Sequence, residues 1–247
     1  MRVIYGINPV REALKGTSPI EKILISSERS DRVIADIIRD AESAGVPVER
    51  AGKALLDRTA GGDNHQGAVA VFSEGFIYSD MDRLISAWKK SGHKAFFLIL
   101  DSIQDPQNLG SLIRAAVAAG VHGVIIPKDR ATAVTPSVVK TSAGATAHAM
   151  IARETNLVRT IERLKEEQVW VTAIEADAKE EIYSANLQSD IALVIGSEGK
   201  GIRRLVREKC DLEASIPASG GINSLNAAQA GVVAMFEAVR QRRTKGS

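Results

Sequence analysis

The sequence has a single cysteine, Cys210, which excludes an internal disulfide and is typical of proteins from a reducing compartment. Aromatic residues make up only 4% of the chain, and no stretch approaches the roughly 20 apolar residues of a membrane span. No apolar run precedes Pro9, so we expect no signal peptide. These absences predict a cytoplasmic protein without a membrane segment.

Charge of one sign and metal ligands are also scarce. The formal net charge is only +2, which does not by itself indicate a nucleic-acid partner. The histidines are far apart in the sequence, at His65, His93, His122 and His148. No His/Cys cluster has metal-ligand spacing, so we expect no metal. Basic residues concentrate at 203–209 and 240–245, where a solvated surface is the more common interpretation.

The chain is 45% hydrophobic and 25% charged, ordinary values for a globular protein. Residues 1–72 alternate short strands with helices and predict a compact α/β domain, in which Ser30 is expected to cap a helix. Residues 73–80 are typical of a linker, and residues 81–247 form the second predicted domain. Two domains therefore follow from the pattern.

The second region alternates apolar strands with helices. Strands are predicted at 95–100, 122–126, 169–174, 191–195 and 213–216, and helices at 81–90, 108–119, 135–142, 155–168, 200–208 and 223–242. Continuous apolar strands with helices between them are typical of a parallel sheet covered on both faces. The predicted fold class is therefore α/β.

Glycine-rich turns follow two of these strands. The strand 191–195 opens into Gly196-Ser-Glu-Gly-Lys-Gly201, and Ile216-Pro217 follows the strand 213–216 shortly before Ser224-Leu225-Asn226. Glycine after a buried strand lets a ligand approach bare backbone. The spacing is not that of a P-loop, a dinucleotide fingerprint or a hydrolase nucleophile elbow. A plain strand-to-helix turn is the alternative interpretation.

A third segment follows the strand 95–100. Asp105-Pro106 predicts a turn, and Asn108 is a candidate helix cap. Arg114, six residues later, lies among apolar residues. It is either a paired cation at the edge of the core or a residue that reaches a ligand beyond the strand ends, where α/β proteins bind ligands.

Together the three segments, in this order and each after a strand, resemble the SpoU (TrmH-type) family of RNA ribose 2'-O-methyltransferases of the SPOUT class. The resemblance implies a C-terminal domain with a deep trefoil knot that forms an S-adenosylmethionine site. By the family's pattern, Gly196, Ile216 and Leu225 bind this cofactor. The catalytic residues that the resemblance implies are Arg114, Glu198, Asn226, Asn108 and Ser224. Where the family often has a Val-Ser-Val-Ala-like run, this chain has Ala227-Ala-Gln-Ala230, and no role is assigned to Gln229.

The N-terminal region also has a match. Tyr5-Gly-Ile-Asn-Pro-Val-Arg-Glu-Ala-Leu14 and His65-Gln66-Gly67 resemble the L30e-like substrate-binding domain of bacterial enzymes that methylate a 23S rRNA guanosine. Residues 1–72 are therefore expected to bind RNA. Without the resemblance, His65-Gln66 is a polar turn before a strand.

The resemblance predicts a homodimer in which the long helix from Ser224 pairs two catalytic domains and brings Arg114 of one subunit near the other's cofactor. Two alternatives stay open. One is a tRNA ribose methyltransferase with the same site, although such enzymes usually lack the N-terminal domain. The other is an RNA-binding protein without catalysis. A nucleotide-dependent oxidoreductase is disfavoured because its glycine fingerprint is missing.

Overall fold

The computed structural model describes residues 2–16, 20–62, 64–72, 76–220 and 225–243. The chain divides into two compact units. The first unit combines residues 1–77 with 134–148, and the second combines 78–133 with 149–247. Serine 224, one of the predicted catalytic residues, and residues 73–75 of the predicted linker lie outside the described residues.

The described strands and helices alternate along most of the chain. The strands are β1 Arg2–Tyr5, β2 Ile20–Ser26, β3 Val48–Ala51, β4 Ala68–Phe72, β5 Phe96–Asp101, β6 Gly123–Pro127, β7 Ile151–Glu154, β8 Trp170–Ile174, β9 Glu180–Glu181, β10 Ile191–Gly196 and β11 Leu212–Ser215. The helices are α1 Ile7–Lys15, α2 Arg32–Ser43, α3 Lys53–Ala60, α4 Met81–Ser91, α5 Pro106–Ala119, α6 Pro136–Thr141, α7 Leu157–Glu166, α8 Arg204–Arg207 and α9 Ala227–Arg243. None of the described helices is long and apolar enough to cross a membrane.

The first unit is built on a four-stranded sheet in the order β1-β4-β2-β3. Strands β2 and β3 are parallel, whereas β4 is antiparallel to both of its neighbours. All five residues of β4 are buried, as expected for a central strand. The predicted cap of α2 at Ser30 is wrong by one residue, because the Asp31 carboxylate accepts from the Val33 and Ile34 amides.

Residues 134–148 belong to the first unit, although the sequence pattern places them in the second region. The Glu12 carboxylate bonds His148 Nε2 at 2.9 Å, and the Lys140 ammonium lies 5.0 Å from the centre of the Tyr5 ring. A Cβ at Gly144 would come within 2.4 Å of Glu12 Cβ. The helix α6 was predicted from local pattern, but its packing partner is set by these contacts between distant segments.

His65 and Gln66 are used within the first unit's own turn before β4. His65 Nδ1 accepts from the Gly67 amide, and its Nε2 lies 3.0 Å from Asp57 Oδ1. Gln66 has a left-handed φ of +53° and accepts the Ile7 amide on its side-chain oxygen. These contacts fit the interpretation of a polar turn that precedes a strand.

The second unit contains a seven-stranded sheet in the order β7-β6-β5-β10-β8-β11-β9. Every neighbouring pair is parallel, and all six residues of the central strand β10 are buried. The predicted α/β fold with a parallel sheet is thereby confirmed. The threaded path of a knot stays a prediction.

Helices α5 and α9 of this unit pack closely. A Cβ at Gly231 would lie only 2.3 Å from Leu112 Cδ2, so a larger residue there would require the Leu112 side chain to move. Ala227, Ala228 and Ala234 of α9 are also buried. The small residues of α9 therefore allow it to pack closely against α5.

Candidate active site

The candidate site begins where β10 ends. Gly196 pairs with Asp101 across the sheet, and the next residues form a tight turn closed by two hydrogen bonds between Ser197 and Gly201. A Cβ at Gly196 would lie 2.2 Å from the Gly201 carbonyl carbon. The turn therefore folds directly over Gly196, and any larger residue there would displace it.

Glu175, directly after β8, holds the far side of this turn. Its carboxylate accepts the Ile202 amide at 2.6 Å, and a Cβ at Gly201 would come within 2.8 Å of it. Burial raises the pKa of Glu175 above its usual value, and the Ile202 hydrogen bond opposes this only in part. The carboxyl group is thus both a support for the turn and a polar group in the site.

Asp101, the last residue of β5, fixes the end of the same turn. Its fully buried carboxylate accepts the Arg203 amide at 2.8 Å and Arg203 Nε at 2.7 Å. Burying a carboxylate is costly unless such charge-assisted hydrogen bonds satisfy it. The guanidinium of Arg203 is therefore held in one place.

Three of the predicted catalytic residues converge beside the turn. One carboxylate oxygen of Glu198, Oε1, accepts from both side-chain amides, that of Asn108 and that of Asn226 at 2.7 Å. The three residues come from the start of α5, the turn after β10 and the residue before α9. The sequence separates them by up to 118 positions, and the parallel sheet brings them together.

Asn108 does not cap α5, contrary to the prediction. Asp105 is the cap, since its carboxylate accepts the Gln107 amide at 2.9 Å. Pro106 occupies the first helical position, where no backbone donor is needed. Asn108 is consequently the third residue of the helix, buried, with its amide directed to Glu198.

Arg114 lies apart from this group. Six residues at about 100° each turn the helix by roughly 600°, so Arg114 lies about 120° around α5 from Asn108. Its side chain is exposed, and it makes no ion pair or hydrogen bond with any residue that the structure describes. The alternative of a paired cation at the core edge is therefore not what the structure shows.

The three predicted cofactor-binding residues line one cavity, which we call the backbone cavity. It has a volume of about 350 Å³ and is bounded by Ile174, Glu175, Gly196, Ile216, Leu225 and Ala230. Apolar side chains form part of its wall and the main chain of the glycine turn forms another. A pocket of this size and character is typical of sites that hold a small molecule.

The basic segment 203–209 is largely neutralised by its own neighbours. Arg204 pairs with Glu208, Arg207 with Glu213 and Asp177, and Lys209 with Glu162. At the other basic segment, Arg240 pairs with Glu237, and Lys245 lies outside the described residues. Neither segment is an open cationic surface in the described part of the chain.

Sequence reasoning missed Asp101 and Glu175. Each directly follows a predicted apolar strand, and the carboxyl ends of parallel strands meet at the ligand-binding edge of the sheet. Their position directly after a strand was the sequence signal that could have identified both residues. Across the residues that the structure describes, no group of three or more His, Cys, Asp or Glu side chains is arranged to hold a metal ion.

Comparison with known proteins covers both units. Residues 95–236 match the SpoU rRNA Methylase family, and residues 3–75 match a domain described as RNA 2'-O ribose methyltransferase substrate binding. The chain is 39% identical over 243 residues to the 23S rRNA (guanosine-2'-O-)-methyltransferase RlmB of Escherichia coli K12, covering 97% of this chain and 98% of that protein.

Solved structures share the fold. The SpoU methyltransferase AviRb from Streptomyces viridochromogenes, in complex with the cofactor AdoMet, superposes with a TM-score of 0.82 at 24% identity, over 98% of this chain and 90% of that one. An AdoMet-bound rRNA methyltransferase from Sinorhizobium meliloti superposes with a TM-score of 0.77 at 24% identity, over 97% and 87%.

Proposed function

Because the chain belongs to the SpoU rRNA methylase family, we propose that it transfers a methyl group from S-adenosylmethionine to the ribose 2'-hydroxyl of a specific guanosine in 23S rRNA. The full-length similarity to an enzyme with that name supports the substrate. The observation that carries the chemistry is the convergence of Asn108 and Asn226 on Glu198 beside the backbone cavity. Such a substrate places the reaction in the cytoplasm.

The backbone cavity fits an adenosine-containing cofactor. Ile174, Ile216 and Leu225 offer apolar surface for a base, and the main chain after Gly196 offers polar groups that no side chain obstructs. When bound, S-adenosylmethionine supplies the methyl group, as its S–CH₃ bond breaks, the O–CH₃ bond forms and the sulfur leaves as a neutral thioether. We propose that Gly196, Ile216 and Leu225 hold it.

Glu198 is suited to receive the proton of the 2'-hydroxyl. The hydrogen bonds from both side-chain amides end on Oε1 of Glu198. They therefore fix the carboxylate, while Oε2 stays available to a substrate. Asn108 and Asn226 act as positioning residues, because they orient the carboxylate. Ser224 remains a proposed member of the site from the family pattern alone.

Arg114 is proposed to hold the adjacent phosphate and the developing alkoxide. A guanidinium is protonated in nearly all proteins, so charge-assisted hydrogen bonds are a less demanding role than proton abstraction. Its exposed position on α5, outside the lining of the backbone cavity, fits a contribution to the site of a second subunit.

A homodimer is proposed on the same grounds. Helix α9 buries Ala228 and Met235 in its own unit, but Val232 is 36% and Phe236 is 45% exposed. Exposed apolar side chains one helical turn apart form a surface that a second copy can cover. We therefore propose that Val232 and Phe236 form the part of α9 that a second copy covers.

A mixing experiment tests the shared site. An Arg114→Ala subunit and a Glu198→Gln subunit are each expected to be inactive. If Arg114 acts across the dimer, one of the two sites in the mixed dimer holds an intact Arg114 and an intact Glu198, and activity returns. Absence of recovery in dimers shown by sedimentation to be mixed would place Arg114 in its own subunit's site.

The function itself is tested by mapping 2'-O-methyl groups in RNA from cells with and without the gene, together with calorimetry for S-adenosylmethionine. Loss of one methylated guanosine in 23S rRNA is expected. Loss of a tRNA methyl group instead would support the tRNA alternative, and unchanged RNA with no cofactor binding would support an RNA-binding protein without catalysis.

A further inference from the structure

A second cavity of about 610 Å³ adjoins the backbone cavity. We call it the cationic cavity, and its wall includes Ser102, Gln104, Arg130, Lys200 and Arg203. The two cavities share Ser197, Glu198 and Gly201. They therefore meet at the carboxylate to which the proton-accepting role was assigned above.

The cationic cavity brings together three positive charges. Arg130 and Lys200 are exposed and form no ion pair or hydrogen bond with any residue that the structure describes. Arg203 uses Nε on the buried Asp101, which fixes the plane of its guanidinium and leaves both terminal nitrogens for another partner. The acidic wall residues are Asp105, whose carboxylate caps α5, and Glu198.

This arrangement differs from that of the neighbouring cations. Arg204, Arg207 and Lys209 each satisfy a carboxylate of the protein. These three residues use their terminal nitrogens on protein carboxylates, so they contribute little to the binding of an external anion. Among the described residues of the cavity wall, Arg130, Lys200 and the terminal nitrogens of Arg203 are the cationic donors left without a protein partner.

The wall is also conformationally strained at two positions. Ser102 and Arg130 have left-handed φ angles of +64° and +61°, a backbone conformation that non-glycine residues rarely adopt. The loops that carry them are joined by the hydrogen bond from the Thr132 amide to the Ile103 carbonyl at 2.9 Å. Strain that the surrounding structure maintains in this way is common in ligand-binding walls.

We propose that the cationic cavity binds the target nucleotide of the RNA, with the phosphate on the 3' side of the methylated ribose held by Arg130, Lys200 and Arg203. The proposal rests on the proposed function. The 2'-hydroxyl is adjacent to the 3'-phosphate, so a hydroxyl at Glu198 puts that phosphate within reach of the cations. Cavities of about 300–1,000 Å³ are large enough for ligands of nucleotide size.

The main test uses the double variant Arg130→Ala/Lys200→Ala, because both side chains are exposed and their removal strands no buried charge. The kcat/KM for an rRNA fragment is expected to fall on the order of 100-fold, as two charge-assisted bonds are lost. The slope of log(kcat/KM) against log[salt] should become shallower by about 0.7–0.9 for each phosphate no longer neutralised. The affinity for S-adenosylmethionine should stay within about twofold of wild type, since neither residue lines the backbone cavity.

The matched control is Lys90→Ala/Arg159→Ala. It removes the same charge from exposed positions of the second unit that lie outside both cavities. It should behave as wild type. If the two double variants are indistinguishable in kcat/KM and salt slope, the proposal is wrong. If wild type itself binds no S-adenosylmethionine and methylates no RNA, the proposed function fails instead.

A modified substrate tests the location of the phosphate. A neutral methylphosphonate on the 3' side of the target nucleotide should lower wild-type kcat/KM by a factor similar to that of Arg130→Ala/Lys200→Ala. The same substitution should lower the double variant's kcat/KM little further, because coupled partners are not additive. Additive losses would mean that the cations bind elsewhere on the RNA, and would overturn the assignment.

Discussion

The seven-stranded sheet has an amino edge, formed by the amino ends of its parallel strands, and a carboxyl edge, formed by their carboxyl ends. The two edges use similar residues for opposite purposes. At the amino edge, the Arg242 guanidinium donates to the carbonyl oxygens of Ala95 and Ser189, both at 2.7 Å, and stacks 4.7 Å from the Phe96 ring centre. His122 Nδ1 accepts the Phe96 amide, and burial lowers the pKa of His122. The hydrogen bonds of Arg242 and of His122 Nδ1 therefore end on the protein's own backbone.

At the carboxyl edge, the corresponding groups stay open. Arg130 and Lys200 are exposed, and neither pairs with a residue in the described ranges. Arg203 is anchored through Asp101, and this bond leaves its terminal nitrogens as donors that face a cavity. The number of basic residues therefore does not distinguish a binding edge from a structural one. What distinguishes the two edges is whether the hydrogen-bond donors of these residues end on the protein or stay open to a cavity.

The largest effect is expected from Gly196→Ala, which should remove ligand binding at the carboxyl edge. The added Cβ would lie 2.2 Å from the backbone of Gly201, so the turn must move and the backbone cavity must change shape. We expect S-adenosylmethionine binding to fall below detection in calorimetry, with about 1–3 kcal/mol lost from the free energy of unfolding. Gly220→Ala, at a glycine with open space and no left-handed φ, is the control and should bind normally.

Arg114→Ala should separate activity from stability. We expect kcat to fall about 100- to 1,000-fold, as for the loss of one transition-state donor, because the developing alkoxide loses the guanidinium proposed to hold it. The melting temperature and the affinity for S-adenosylmethionine should not change, since the side chain is exposed. Arg114→Lys should also lose most activity, because an ammonium does not reproduce the guanidinium fork. A lysine variant with near-normal turnover would contradict this geometry.

Arg242→Ala at the amino edge should show the reverse pattern. It leaves the carbonyls of Ala95, Ser189 and Leu187 without their charged donor. We expect about 2–3 kcal/mol to be lost from the free energy of unfolding in urea, while kcat of the folded protein stays near wild type. A large fall in kcat without loss of stability would remove the distinction between the two edges.

Much of the sheet that carries the two edges could be predicted from sequence. Apolar runs ending in glycine or polar residues placed β5, β10 and β11, and alternation with helices indicated a parallel sheet. The short strands β1, β7 and β9 and helix α3 were missed, because two to eight residues carry too little periodic signal. The resemblance, rather than the pattern, selected Asn108, Glu198 and Asn226 as one group.

Contacts between distant segments were beyond local pattern. Arg242 looked like part of a basic tail, yet three carbonyl oxygens from distant strand ends determine its role. The packing of α6 on the first unit has the same origin. The open cations Arg130 and Lys200 could not be told from the paired Arg207 by residue type, because pairing is a property of the folded surface.

Glu175→Gln tests whether a buried carboxyl group at the carboxyl edge makes the free energy of unfolding depend on pH. Folding favours the protonated form, because burial raises the pKa of Glu175. The contribution of Glu175 to the free energy of unfolding is therefore fully present at low pH. It is lost as the pH rises through the raised pKa of the folded protein. Glutamine still accepts the Ile202 amide but never ionises. The variant should match wild type near pH 4 and exceed its free energy of unfolding at pH 7.5, by at most about 1 kcal/mol since solvent screens a half-buried group. Urea denaturation at both pH values measures the difference, and an advantage confined to low pH would contradict the sign.

The smallest expected effect comes from Gln229, to which the sequence assigned no role. Asn226 precedes α9 and accepts the amides of Ala228 and Gln229 on Oδ1, while Gln229 Oε1 accepts the Asn226 amide at 3.3 Å. This reciprocal pair is a capping box, and it fixes the residue that also holds Glu198. Gln229→Ala should cost about 0.5 kcal/mol in urea denaturation and lower kcat about twofold, if the same energy is lost from the orientation of Glu198. Gln229→Glu keeps an acceptor at the position that a capping box requires and should restore both quantities. If the glutamate variant is as impaired as the alanine variant, the cap is not what positions Asn226.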